Sequence, residues 1–102
     1  MGILDFLGFG NKSENIKEFI AKGAVIIDVR SPGEYTSGHI KGSKNIPLNV
    51  ISSKVAEIKK LGKPVIVCCA SGMRSSQAES VLKNNGIEVI NGGGWSSLQS
   101  KL

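Results

Sequence analysis

A cysteine with the features of an activated nucleophile begins the loop of residues 69–74, hereafter the Cys69 loop. This loop follows a short apolar run and leads into a helical pattern, so its peptide N–H groups favour a thiolate or a bound oxyanion. A free cysteine has a pKa near ~8.5, which such amides and a neighbouring cation lower to roughly 3.5–7.5. The pattern therefore predicts that Cys69 reacts as a thiolate.

The predicted anion-binding residues all follow Cys69 directly in the chain. Gly72 lets the loop curl, and Arg74 is expected to supply the cation next to the thiolate. The hydroxyl groups of Ser71 and Ser75 are expected to donate further hydrogen bonds to the sulfur. The complete predicted set is Ala70, Ser71, Gly72, Met73, Arg74 and Ser75.

Alternating apolar runs and helical patterns predict the α/β elements that position this loop. A mainly parallel central sheet of about five strands, with helices on both faces, is the expected architecture. In such sheets ligands bind at the carboxyl ends of the strands, where Cys69 stands. The predicted strands are 24–28, 44–46, 65–68 and 88–90. The predicted helices begin near Ser13, Ser31, Asn49 or Ser52, Ser75 and Trp95.

Length and composition indicate one small globular domain, residues 13–102, after a loosely ordered segment, residues 1–12. The formal charge is +5, but the eleven lysines are scattered and only two arginines are present, so neither nucleic acid nor a membrane is an expected partner.

The adjacent residues Cys68 and Cys69 point to opposite sides of an extended backbone, so we expect free thiols. Free thiols and the lack of a basic leader predict a cytoplasmic protein.

Four ordered motifs resemble those of single-domain rhodanese sulfurtransferases. Residues 28–35 and 38–47 resemble the two amino-terminal signatures of that family. Residues 69–75 resemble its active-site loop, and residues 93–95 resemble a shortened form of its Gly-Gly-x-x-x-Trp region. The resemblance extends from about residue 14 to residue 102 and implies the rhodanese-like fold.

The resemblance also implies a reaction. The Cys69 thiolate would attack the sulfane sulfur of a donor such as thiosulfate, release sulfite and hold the sulfur as a persulfide, which a thiol or cyanide then removes. A small anionic sulfur donor and a thiol or protein acceptor are the implied partners. We expect no metal and no organic cofactor, and we expect a monomer.

Two alternatives remain open. A persulfide carrier that docks on a partner protein is one, because Ala70 and Ser71 are neutral and only Arg74 and backbone amides would meet an anion. The other alternative takes Cys68 as the nucleophile. Five residues then separate it from Arg74, which is the loop length of related phosphatases and arsenate reductases. The glycine stands three residues after Cys69 rather than after Cys68, which favours Cys69. Cys68 is then a packing residue or, alternatively, a resolving thiol.

Four residues in the amino-terminal half are expected to support the site. Asp28 and Arg30 follow a strand end and are expected to pair with each other or with loop backbone groups. His39 and Glu34 are expected to fasten a loop through hydrogen bonds, since a loop-stabilised thiolate needs no general base. Trp95 is expected to be a core or rim aromatic.

Overall fold

A computed structural model describes residues 12–102 of the protein. The segment predicted to be loosely ordered, residues 1–12, lies outside the described residues except for Lys12, with which the first helix begins. The helices are α1 (Lys12–Ala21), α2 (Pro32–Thr36), α3 (Leu48–Ile51), α4 (Val55–Lys60), α5 (Met73–Asn84) and α6 (Trp95–Gln99), with a 3₁₀ turn at Ser52–Lys54. No helix in this part of the chain is long and apolar enough to cross a lipid bilayer.

A parallel sheet forms the centre of the fold. Its strands are β1 (Val25–Asp28), β2 (Lys44–Asn45), β3 (Val65–Cys69) and β4 (Val89–Gly94), and their order across the sheet is β2-β1-β3-β4. The prediction of about five strands is therefore too high for residues 12–102. The remaining segments of this range form helices and turns, so no further stretch is available to extend the sheet.

Strand β3 is buried along its whole length and contributes to both hydrophobic layers. Because successive strand side chains point to opposite faces, Val67 and Cys69 pack in one layer while Ile66 and Cys68 pack in the other. Helices α3, α4 and α5 cover the Cys69 face, and α1 and α6 cover the Cys68 face. The two adjacent cysteines thus occupy different environments.

Strand β4 continues four residues beyond the predicted end at Ile90 and brings three consecutive glycines against β3. A register shift leaves Gly92 as an extra residue between two pairs, Val67 with Asn91 and Cys68 with Gly93. A Cβ atom on Gly94 would lie 2.8 Å from the carbonyl oxygen of Ala70. The glycine run therefore lets the strand approach the Cys69 loop more closely than side chains would allow.

Candidate active site

Cys69 is the last residue of β3, and its side chain lies at the carboxyl end of the central strands. The chain then turns through Gly72, whose φ of +104° is a left-handed conformation that glycine adopts without strain. Helix α5 begins at Met73, two residues earlier than predicted. Arg74 and Ser75 therefore lie in its first turn.

Three hydrogen-bonding groups converge on the sulfur of Cys69. The backbone N–H of Gly72 donates at 2.9 Å and that of Ser75 at 3.4 Å. The Ser75 hydroxyl oxygen also lies 3.4 Å from Sγ and is itself buried. An anion at Sγ is thus met by donors from the loop and from the first turn of α5.

The electrostatic environment of Cys69 favours its thiolate. Burial raises the pKa of Cys69, but the Ser75 hydroxyl and the backbone amides of Ser75, Gly72 and Ser71 together outweigh that effect. The pKa of Cys69 is consequently lowered from its ordinary value. The stabilisation of the anion comes mainly from amides and a hydroxyl group.

Arg74 does not hydrogen-bond to Cys69. Its guanidinium forms a two-pronged ion pair with Glu34, with Nη1 2.7 Å from Oε1 and Nη2 3.0 Å from Oε2. This pair raises the pKa of Arg74 and lowers the pKa of Glu34 to about 2. Arg74, which the sequence predicts to lie next to the thiolate as a cation, is therefore paired with the Glu34 carboxylate from the other half of the chain.

Glu34 also closes the first turn of α2. Its Oε1 accepts from the backbone N–H of Ser31 at 3.0 Å and lies 3.1 Å from the Ser31 hydroxyl, and the Glu34 backbone N–H lies 3.4 Å from that hydroxyl. This reciprocal arrangement is a capping box. One carboxylate thus holds the start of α2 and binds Arg74 at the start of α5.

Asp28 and Arg30 pair at the end of β1. Arg30 Nη2 donates to Asp28 Oδ2 at 2.7 Å, and Arg30 Nε donates to Asp28 Oδ1 at 2.9 Å. Arg30 also donates to the carbonyl oxygen of Gly38 at 2.7 Å, and its guanidinium lies 4.8 Å from the ring centroid of Trp95. The buried pair ties the loop around α2 to β1 and to Trp95, which is only partly buried.

His39 bonds within its own loop. Its Nδ1 lies 2.8 Å from the carbonyl oxygen of Tyr35, which can only accept, so Nδ1 carries the proton. The imidazole stacks on the Tyr35 ring at a centroid distance of 3.8 Å. The Tyr35 hydroxyl in turn donates to the Ser43 carbonyl at 2.7 Å. These contacts fasten the loop without reaching Cys69.

Asn91 belongs to the site although the sequence analysis did not identify it. Its Oδ1 accepts from the Ser75 hydroxyl at 2.7 Å and from the Gly93 backbone N–H at 2.8 Å. Its Nδ2 donates to the carbonyl oxygen of Gly72 at 3.1 Å. Asn91 thereby orients two of the residues that contact Cys69. The signal for it was a polar residue between an apolar strand and a glycine run.

Cys68 has the opposite character to Cys69. It is fully buried in the layer formed with residues such as Ile16 and Leu98. Burial, with a further contribution from the charge of Asp28, raises the pKa of the Cys68 thiol to about 12. Cys69 is also buried, but the pKa shifts of the two thiols are opposite in direction. A Cys68 thiol with a raised pKa stays protonated, which fits a packing residue and argues against Cys68 as the nucleophile.

Comparison with known proteins gives concordant results. Residues 12–101 match the family described as Rhodanese-like domain. The chain is 42% identical over 67 residues to the uncharacterized protein YqhL of Bacillus subtilis, and 35% identical over 68 residues to the thiosulfate sulfurtransferase GlpE of Stutzerimonas stutzeri. These matches cover 66% and 67% of this chain, but only 52% and 62% of the two relatives.

A solved structure resembles the described fold over most of its length. The human single-domain sulfurtransferase TSTD1 superposes with a TM-score of 0.68 at 27% sequence identity. The match covers 87% of this chain and 93% of the human chain.

Proposed function

The chain belongs to the rhodanese-like domain family, and we propose on this basis that it is a sulfurtransferase that carries a sulfane sulfur on Cys69. The observation that carries the proposal is the convergence of the Gly72 and Ser75 donors on the Cys69 sulfur. These groups favour a reactive thiolate and then an anionic persulfide at the same position.

In the first step, the Cys69 thiolate attacks the outer, sulfane sulfur of thiosulfate. A sulfur–sulfur bond forms to Cys69 as the bond to the sulfonate sulfur breaks, and sulfite leaves with the electron pair of that bond. The total charge, three negative units, is unchanged because the product is a persulfide anion and a sulfite dianion. The loop amides contact the sulfur that attacks, so they stabilise the thiolate before the step and lie next to the persulfide anion that it produces.

In the second step, an acceptor thiolate or cyanide attacks the terminal sulfur of the persulfide. The bond between the two sulfur atoms breaks, and its electron pair returns to Cys69 as thiolate. The hydrogen bonds from Gly72 and Ser75 that lower the pKa of Cys69 also make this sulfur a better leaving group. Both steps thus use the same set of donors.

A persulfide carrier with a protein acceptor is the second candidate function. Ala70 and Ser71 are exposed and uncharged, and the Met73 side chain is 75% exposed directly beside the loop. These three residues offer an anion no charge, and uncharged surface of this kind suits contact with a partner protein better than capture of a small anion. A phosphatase-like reaction is less well supported, because it needs Cys68 as the nucleophile, whereas the Gly72 and Ser75 donors contact Cys69 and the pKa of Cys68 is raised to about 12.

The test is to incubate the protein with thiosulfate and to locate any added sulfur by peptide mass spectrometry. We expect the mass of one sulfur atom on Cys69, and none in Cys69→Ser, whereas Cys68→Val serves as a matched control that keeps Cys69. Release to cyanide indicates the enzyme, and release only to a protein acceptor indicates the carrier. Turnover of thiosulfate by Cys69→Ser, or sulfur mainly on Cys68, would contradict the assignment.

The cellular setting that we propose follows from the same chemistry. Both cysteines are free thiols, which suits the cytoplasm. The proposed partners are a small anionic sulfur donor and a thiol or protein acceptor, with the chain acting as a monomer and with neither nucleic acid nor a membrane as a ligand.

A further inference from the structure

The only charged side chain within the Cys69 loop is neutralised by an ion pair. Arg74 is held by both carboxylate oxygens of Glu34, at 2.7 Å and 3.0 Å. The side chains of Arg74 and Glu34 are 38% and 37% exposed, so an approaching ligand meets both charges. The cation and the carboxylate together contribute no net charge at the entrance to the loop.

The carboxylate of Glu34 is fixed in place rather than free to move away. The capping box with Ser31 holds it from the α2 side while Arg74 holds it from the α5 side. The pKa of Glu34 is lowered to about 2, so the group is charged at every physiological pH. A donor that enters the loop is therefore attracted by Arg74 and repelled by Glu34, and the attraction by loop amides remains.

We propose that Glu34 is a specificity-determining residue that disfavours doubly charged sulfane donors, such as thiosulfate, relative to singly charged donors, such as thiosulfonates and thiol persulfides. The reason is that Coulomb repulsion scales with the charge of the ligand, so one carboxylate acts twice as strongly on a dianion as on a monoanion. The inference rests on the proposed function and names the donor class of that same site.

Two donors that differ by one charge make the test sharp. Methanethiosulfonate replaces one sulfonate oxygen of thiosulfate with a methyl group, so it is a monoanion with the same kind of sulfane sulfur. The Cys69 thiolate attacks that sulfur, and methanesulfinate leaves with the electron pair. Total charge is two negative units before and after. A difference between the two donors therefore reports mainly on the charge at the loop.

The variant is Glu34→Gln, because glutamine keeps the capping box and one hydrogen bond to Arg74 while it removes the charge. We expect kcat/KM for thiosulfate to rise by about three- to tenfold and that for methanethiosulfonate by about two- to threefold, given that the pair is partly screened by solvent. The gain should shrink at high ionic strength. Arg74→Gln should instead lower kcat/KM for thiosulfate relative to kcat/KM for methanethiosulfonate.

Two further variants separate charge from structure. Glu57→Gln removes the same charge from α4, where Glu57 pairs with Lys54. This variant should leave the ratio of kcat/KM for thiosulfate to kcat/KM for methanethiosulfonate unchanged. Ser31→Ala weakens the cap of α2 without a change of charge, so it should alter kcat/KM for both donors by the same factor. The proposed role of Glu34 would be overturned if Glu34→Gln changed kcat/KM for both donors by the same factor, or if it lowered kcat/KM for thiosulfate alone.

The wild-type protein distinguishes this failure from failure of the proposed function. If neither donor places sulfur on Cys69, the sulfurtransferase assignment itself is wrong. If both donors load Cys69 and the ratio does not respond to Glu34→Gln, only the specificity role is wrong.

Discussion

Removal of the Ser75 hydroxyl tests whether side-chain and backbone donors, rather than Arg74, activate Cys69. In Ser75→Ala the hydroxyl 3.4 Å from the Cys69 sulfur is lost, while the Ser75 backbone N–H remains. The amide of Gly72 at 2.9 Å is also retained. We therefore expect the pKa of Cys69 to rise toward that of a free cysteine without reaching it.

The magnitude follows from the geometry. A hydrogen bond to a charged group is worth about 1.5–3 kcal/mol, and one pKa unit corresponds to about 1.4 kcal/mol. Two other acceptors compete for the single Ser75 hydroxyl proton, Asn91 Oδ1 at 2.7 Å and the Gly72 carbonyl oxygen at 3.2 Å, and both lie closer than the sulfur. This competition places the effect at the lower end of the range, so we expect an increase of about one pKa unit.

The measurement is the rate of Cys69 alkylation by iodoacetamide as a function of pH, with the modified residue identified by peptide mass spectrometry. The thiolate is the reactive form, so the rate rises through the pKa of Cys69. In the wild type this inflection should lie below that of a free cysteine, because the folded environment lowers the pKa. In Ser75→Ala it should move to higher pH.

Ser76→Ala is the matched control, since it removes the same group from the next, exposed position of α5 and should leave the inflection in place. An inflection that stays fixed in Ser75→Ala, or moves to lower pH, would refute the reasoning. If Arg74→Gln instead raised the pKa of Cys69 more than Ser75→Ala, the direct cation role that the sequence suggests would be correct.

The remaining predictions concern residues beneath the loop. Cys68→Val should leave sulfur transfer intact and change the free energy of unfolding by less than about 1.5 kcal/mol. Cys68→Ser should lower the free energy of unfolding by about 1–3 kcal/mol, because it buries a hydroxyl group. Urea denaturation measures both changes. Gly94→Ala should destabilise the fold by about 1–3 kcal/mol, because its Cβ would lie 2.8 Å from the Ala70 carbonyl, and should slow alkylation of Cys69. Gly33→Ala, where a Cβ meets nothing within 4 Å, is the control, and equal stability of the two glycine variants would contradict this account.

Much of the fold could be read from local patterns. Continuous apolar runs such as 65–68 predict buried strands of a parallel sheet, and the structure has β3 in that place. The boundaries of β4 could not be predicted, because three glycines normally indicate a turn. They form a strand here only because the bulge at Gly92 and the contact with the Ala70 carbonyl hold them against β3.

The proposal that Cys69 is the nucleophile could be made largely from the sequence alone, because the spacing of Cys69, Gly72 and Ser75 along the chain is a local property of one strand-to-helix turn. The tertiary structure decided which charges surround the proposed nucleophile. Glu34 is 40 residues from Arg74 and Asn91 is 16 residues from Ser75, and each pair forms only because parallel strands place their carboxyl ends at the same edge of the sheet. Periodicity along a chain carries no information about such partners, which is why Arg74 could be recognised as a cation but its neutralisation by Glu34 could not.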